Sequence, residues 1–223
     1  MERDGKSSIM NIMKNRGFTL IELVVTVTIA IIIAGGFIYL SPKIIQRQRL
    51  KNDAWQIAND ILEVKERARA QLEILKIEFY VRNDSTPELN NLYAWEKKEG
   101  AIQDAVNNGH DRAYIVTHPE EFPNIVVRHF HKDIGFPWYF GYTAPASVSF
   151  GDGCTVPPAT EAASPPNKYT QIKFNEWGNP CSGGTIRIMS KSLKGTNGKP
   201  RIVELIVTPV TGRVRMEGPK DMP

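Results

Sequence analysis

The run FTLIELVVTVTIAIIIAGGFIYL, Phe18 to Leu40, carries a single charge, Glu22. As a helix it would be about 35 Å long at about 1.5 Å per residue, enough to cross a hydrocarbon core of about 30 Å. It divides the chain into a short leader (1–17), an apolar span (18–40) and a remainder sized for one ordinary soluble domain. The leader holds Arg3, Lys6, Lys14 and Arg16 against Glu2 and Asp4, a net +2 of the chain's total of +4. Basic residues before a span favour the cytoplasmic side, so the expected topology is N-terminus in and domain out. A cleaved secretory signal fits less well. Its apolar core is shorter and is followed by a small-x-small site, whereas here Ser41-Pro42-Lys43 follows.

An ionised carboxylate within such a span costs a few kcal/mol unless it has a partner. The plainest reading of Glu22 is a glutamate tolerated near a membrane interface. The surrounding residues suggest more. Lys14-Asn15-Arg16-Gly17 followed by Phe18-Thr19-Leu20-Ile21-Glu22 and a long apolar helix resembles the class III leader of type IV pilins and type II secretion pseudopilins. The resemblance implies that a prepilin peptidase cuts between Gly17 and Phe18 and that Phe18 becomes N-methylated. It also implies that Glu22 meets the amino terminus of a neighbouring subunit and sets assembly register. The cut would create an ammonium at the depth of the carboxylate, and pairing would offset the desolvation of each. Gly35, Gly36 and Pro42 weaken a helix where pilin helices loosen in filaments, and small residues also permit close helix packing.

Beyond Pro42 the pattern becomes amphipathic. Leu50, Ala54, Ile57, Ile61, Val64, Ala68, Leu72 and Leu75 recur at steps of three and four, while Arg49, Lys51, Asp53, Asn59, Asp60, Lys65, Glu66 and Arg69 form the opposite, polar face. A nearly continuous helix from Phe18 to about Tyr80 is expected, its amphipathic part (41–80) packed on a β-rich head (81–223). Pro87 could open a further helix. Strands are expected at Ala113–Thr117, Ile125–Phe130, Trp138–Tyr142, Ser147–Phe150, Tyr169–Asn175, Thr185–Ser190, Arg201–Thr208 and Arg213–Met216, with a long loop at Gly151–Asn167. The fold class is therefore α+β, an N-terminal helix packed on an antiparallel meander. The order IKFNEWGNP, TIRI, RIVELIV, TGRVR resembles the heads of FimT/GspH-type minor pilins and pseudopilins over roughly 17–70 and 169–216.

Cys154 and Cys181 lie beyond the span, where an oxidising compartment favours a disulfide. Closing the 26 intervening residues would stabilise by roughly 3 kcal/mol, and two separate buried thiols remain the alternative. His129 and His131 would share a strand face, but no cysteine or carboxylate stands at ligand spacing, so a solvated face is the plainer reading. Trp138-Tyr139-Phe140 and Tyr142 read as a core strand. Neither a phosphate-binding glycine loop nor a nucleophile elbow is present, so no enzyme, metal or cofactor is expected.

From Thr185 to Lys220 eight Lys and Arg stand against Glu204 and Glu217. Such a stripe can track phosphates. Some FimT-like minor pilins bind DNA through a Gly-Arg-x-Arg element, which here is Gly212-Arg213-Val214-Arg215, and alternation would turn Arg213 and Arg215 to one face. A solvated basic face, or one meeting acidic filament neighbours, competes with that reading. The expectation is a structural subunit with its N-terminus cytoplasmic and its head periplasmic. It would be anchored in the bacterial inner membrane, partnered by prepilin peptidase and other pilins, and destined for a type IV pilus or secretion pseudopilus. DNA binding in natural transformation is the alternative.

Overall fold

The structure is a computed structural model that describes residues 19–81, 90–142, 148–150 and 169–222. It divides into two compact units, Met1–Pro42 and Lys43–Pro223. Helix α1 (Leu20–Gln71) runs without interruption through Gly35, Gly36 and Pro42.

In the first unit, the side chains from Leu20 to Ile33 are all exposed. Among the described residues no helix is long and apolar enough to cross a membrane. The side chains of 34–41, which belong to the expected span, lie outside the described residues.

In the second unit α1 buries Leu50, Ala54, Ile57, Ile61, Val64 and Ala68 against two antiparallel sheets. The helix stops at Gln71, nine residues before the expected Tyr80. Leu72 adopts a left-handed φ of 55° and the Glu73 N–H donates to the Ala68 carbonyl at 3.2 Å, closing the last turn as a Schellman motif does. Strand β1 (Leu75–Tyr80) comes next in the chain. Leu75 fits a helical step from Ala68 and Leu72 and also begins the alternation Leu75, Ile77, Phe79, all buried. Pairing on both sides decides for the strand. Leu72 itself is exposed.

The first sheet has the order β3-β2-β1-β6, from β3 (Ile125–His129), β2 (Leu92–Glu96), β1 and β6 (Tyr169–Phe174). Ile77 sits opposite Trp95 on one side and Ile172 on the other. The second sheet has β4 (Ile134–Gly135), β7 (Gly184–Lys194), β8 (Pro200–Val207) and β9 (Val214–Asp221) in that order, with β5 (Val148–Phe150) also on β7. The expected meander over 169–216 is thus split: β6 joins the first sheet, and β7, β8 and β9 form the meander in the second. Both sheets contribute to one core with α1, through Ile77, Trp95, Ile172, Ile188 and Leu205 among others.

Alternation gives the first sheet a second apolar face, Leu92 and Ala94, covered by α2 (Ala101–Asn107) and α3 (Arg112–Thr117) through Ile102, Ala105, Ile115 and Val116. Helix α3 occupies the place of the expected strand Ala113–Thr117. Asp111 caps it, its carboxylate accepting the Tyr114 N–H at 2.7 Å, and that local bond overrides a short β-branched run. The expected strand Trp138–Tyr142 is a 3-10 turn, Pro137–Phe140, with Pro137 at its start and Gly141 at φ 88° at its end. The expected helix start at Pro87 and the loop Gly151–Asn167 lie outside the described residues.

Asn91 ties the sheets together. At φ 57° its side chain donates to the Ile134 carbonyl and accepts from the Phe136 N–H, each at 2.9 Å, so it bonds to the β4 segment as a strand backbone would. Gly135 makes room for it, because a Cβ there would stand 1.8 Å from Asn91 Oδ1. The result is an α+β fold with an N-terminal helix and antiparallel sheets.

Candidate functional site

Gly17 and Phe18 lie outside the described residues, which begin at Thr19. Thr19-Leu20-Ile21-Glu22 forms a capping box: Glu22 N–H donates to Thr19 Oγ1 at 3.3 Å and Thr19 N–H donates to Glu22 Oε2 at 3.5 Å. In the single chain the carboxylate therefore has a partner, the first turn of its own helix, whose positive dipole end favours it. Its cap, Thr19, adjoins Phe18 in sequence. The threonines further along hide their polarity in the backbone. Thr26 Oγ1 donates to the Glu22 and Leu23 carbonyls at 2.9 Å, and Thr28 Oγ1 to Val24 at 2.8 Å. This leaves an apolar exterior on every side of the helix from Leu20 to Ile33, with Leu20 83 % and Val25, the least open large apolar residue of that stretch, 48 % exposed. A helix apolar all round has to be covered by lipid or by other chains.

The basic C-terminal region is different from its expected form. Arg213 lies in the turn before β9 rather than on the strand, and only Arg215 belongs to β9. Arg215 pairs with Glu217 at 2.5 Å. Lys220 and Arg187 both hold Glu204, at 2.5 and 2.7 Å, and Arg201 pairs with Asp221 at 3.3 Å. Burial pushes the Glu204 carboxyl up, but the Lys220 and Arg187 hydrogen bonds and charges outweigh it and leave it below the usual carboxylate range. Half of the eight cations are thus committed to neighbouring carboxylates.

His129 and His131 do not converge. His131 turns to α1, where Asp53 accepts from its backbone N–H at 3.2 Å and meets Nδ1 at 2.6 Å. Among the described residues no group of three or more His, Cys, Asp or Glu is placed to hold a metal ion. Trp138, Tyr139 and Tyr142 are partly exposed, while Phe140 packs against Met189, Ile202 and Met222. Cys181 is disulfide-bonded, and its sulfur accepts from the Lys173 N–H at 3.3 Å. Cys154 lies outside the described residues.

Two aspartates read as polar-face residues are buried. Asp60 accepts from Tyr93 Oη at 2.8 Å and pairs with Arg128 Nε at 3.3 Å, and Asp53 holds His131. They stand seven residues apart, two helical turns, and both lock α1 to the β2–β3 side of the first sheet. Burial above all, and then the Asp60 charge and hydrogen bond, hold the Tyr93 phenol well above its ordinary pKa, so it remains a donor.

A second buried ionic cluster lies between the first sheet and α2–α3. Lys76 Nζ is 3.1 Å from Glu78 Oε1 and 3.5 Å from Glu96 Oε1. Arg112 Nε lies 3.3 Å from Glu78 Oε2, which also accepts from the Tyr80 hydroxyl. The Ile102 N–H donates to Glu96 Oε1 at 2.8 Å. The helical reading of this segment hides the cluster, although the alternation of Lys76 and Glu78 with Leu75, Ile77 and Phe79 places opposite charges on one strand face.

Among comparisons with known proteins, the family model described as "Prokaryotic N-terminal methylation motif" matches residues 12–38. No curated protein and no solved structure matches the chain. The matched segment spans Gly17, Phe18, Glu22 and the exposed apolar helix. Over this segment the chain bears a prokaryotic N-terminal methylation motif.

Proposed function

We propose that the chain is a minor pilin or pseudopilin of the FimT/GspH type. It is inserted with its N-terminus cytoplasmic, cut between Gly17 and Phe18, methylated on Phe18 and assembled into a type IV pilus or secretion pseudopilus. The observation that carries this reading is the methylation motif running directly into a helix whose apolar side chains are exposed all round. Residues 18–40 serve as the membrane span before assembly. After cleavage the new ammonium on Phe18 and the Glu22 carboxylate are a turn apart in sequence. A neighbouring subunit's ammonium can replace the Thr19 N–H as the stronger, charge-assisted partner. Cys154 pairs with Cys181 in this reading, consistent with the disulfide at Cys181 and a chain of two cysteines. Within the Gly-Arg-x-Arg element the nucleic-acid reading draws support only from Arg213, which enters no ion pair among the described residues, since Arg215 is engaged by Glu217.

Glu22→Gln is the discriminating substitution. A glutamine keeps the capping box but removes the charge. Cleavage and membrane integration should be unchanged while incorporation into filament or tip complexes, measured by crosslinking in cells, falls sharply, as it should in Glu22→Leu. Equal incorporation of wild type and Glu22→Gln would refute charge pairing as the assembly device.

A further inference from the structure

Lys43, Arg47, Arg49 and Lys51 place four cations in nine residues, with no acid between them. We propose that they form a binding surface for anionic phospholipid headgroups on the far side of the membrane. The proposal rests on the reading of 18–40 as a membrane span.

Proximity follows from chain length alone. Lys43 stands three positions beyond Leu40, a reach of about 10 Å even if fully extended, close to one Debye length at physiological salt. The segment is helical and exposed: Arg47 and Arg49 are open to solvent and Lys51 partly so, and Ile44 and Ile45 beside them are 58 % and 46 % exposed. The first buried side chain of the head is Leu50. Exposed isoleucines among basic side chains suit an interface, where apolar stems lie along lipid and charged heads stay wet.

Charge placement separates this segment from the rest of the helix. Further along, Arg67 pairs with Glu63 at 2.8 Å and Arg69 with Glu66 at 3.6 Å. Arg47, Arg49 and Lys51 enter no ion pair among the described residues. The orientation signal does not account for them either. Cations beyond the span oppose the positive-inside bias, and they equal in number the four of the leader. Removal of residues 1–17 would leave this cluster as the only Lys/Arg flank of the apolar run. Helical periodicity puts Lys43, Arg47 and Lys51 along one flank and Arg49 on the opposite one. A docked acidic protein would meet one side. A lipid surface surrounds the helix and meets both.

The test uses the full chain reconstituted in vesicles of phosphatidylcholine and phosphatidylglycerol in equal parts, with spin-labelled versions of each lipid reporting selectivity and carbonate extraction reporting integration. One cation near an anionic surface contributes about five-fold in association, so a preference for phosphatidylglycerol of at least about five-fold is expected. High salt should reduce it. The variant Lys43→Gln, Arg47→Gln, Arg49→Gln, Lys51→Gln should integrate and lose the preference, while Arg47→Lys with Arg49→Lys should keep it. An integrated wild type with no preference, or a quadruple variant that retains it, overturns the proposal and leaves the span intact. If the neutral variant instead loses filament incorporation while lipid selectivity is absent in both chains, an acidic partner chain is the occupant and the lipid proposal is overturned. Failure of wild type to resist carbonate overturns the span reading and the proposal with it.

Discussion

Glu96 offers a quantitative handle on the head. It is 1 % exposed, faces Lys76 and Glu78 from β1 and the Ile102 N–H from α2, and shares its cluster with Arg112 and Tyr80. Burial is the main cause that raises its pKa, and despite Lys76 and the Ile102 hydrogen bond it is held at about 7 against an ordinary 4.5. Burial also works against the Lys76 ammonium, but Glu78 and Glu96 outweigh it and keep Lys76 above its usual value. A carboxyl whose folded pKa is raised binds more protons folded than unfolded, so stability falls as pH rises between the two pKa values. The interval corresponds to about 3 kcal/mol at about 1.4 kcal/mol per pKa unit, present below pH 4.5 and lost by the time pH has passed about 7. Urea unfolding of the unit Lys43–Pro223 at a series of pH values measures it. Wild type should lose up to this amount across the window. Glu96→Gln, which still accepts from Ile102 and leaves Lys76 its Glu78 partner, should lose much less. Identical pH slopes in the two proteins, or a wild-type stability that rises through the window, would refute the reasoning.

The Asn91 bridge and the Tyr93–Asp60 bond are testable in the same assay. Gly135→Ala forces a Cβ to 1.8 Å from Asn91 Oδ1 and should destabilise by about 2 kcal/mol or more through overpacking and loss of the bridging bonds, whereas Asn91→Gly with Gly135→Ala should show less than the additive loss. Tyr93→Phe removes the hydroxyl donor of the buried Asp60 carboxylate and should lower stability by about 1–3 kcal/mol; a loss near zero would mean that Arg128 alone satisfies the carboxylate.

The apolar periodicity of the helix is legible in the sequence, because Leu50 to Ala68 obey one step rule and all six residues named for it there are buried. Its end is not. The stopping residue is Leu72 in a left-handed conformation, with neither glycine nor proline to mark it, and Leu75 satisfies both periods. Strands β3, β5, β6, β7 and β8 fall on expected segments because their alternation is regular. The division into two sheets depends on β1, hidden inside a supposed helix, which captures β6 by pairing Leu75 with Phe174 and Tyr80 with Tyr169. Asp53 and Asp60 depart from the polar face expected for them because charge signals exposure only where no partner exists. Each is buried because a group from the sheet side, His131 or Tyr93 with Arg128, satisfies it. At the candidate site, the motif around Gly17 and Glu22 is legible as a string, matched over 12–38. The internal pairing of Arg215, Lys220, Arg187 and Arg201 is not, because strand register decides which charges meet.

Membership of a filament depends first on what happens at the amino terminus. Intact-mass measurement of the chain co-expressed with an active prepilin peptidase addresses it directly, with Gly17→Val as the control expected to block the cut. The predicted result is a product beginning at Phe18, shortened by residues 1–17 and carrying one added methyl group, with the Gly17→Val chain left uncut. Retention of residues 1–17 in the wild-type chain beside a peptidase shown to process another prepilin would contradict the account.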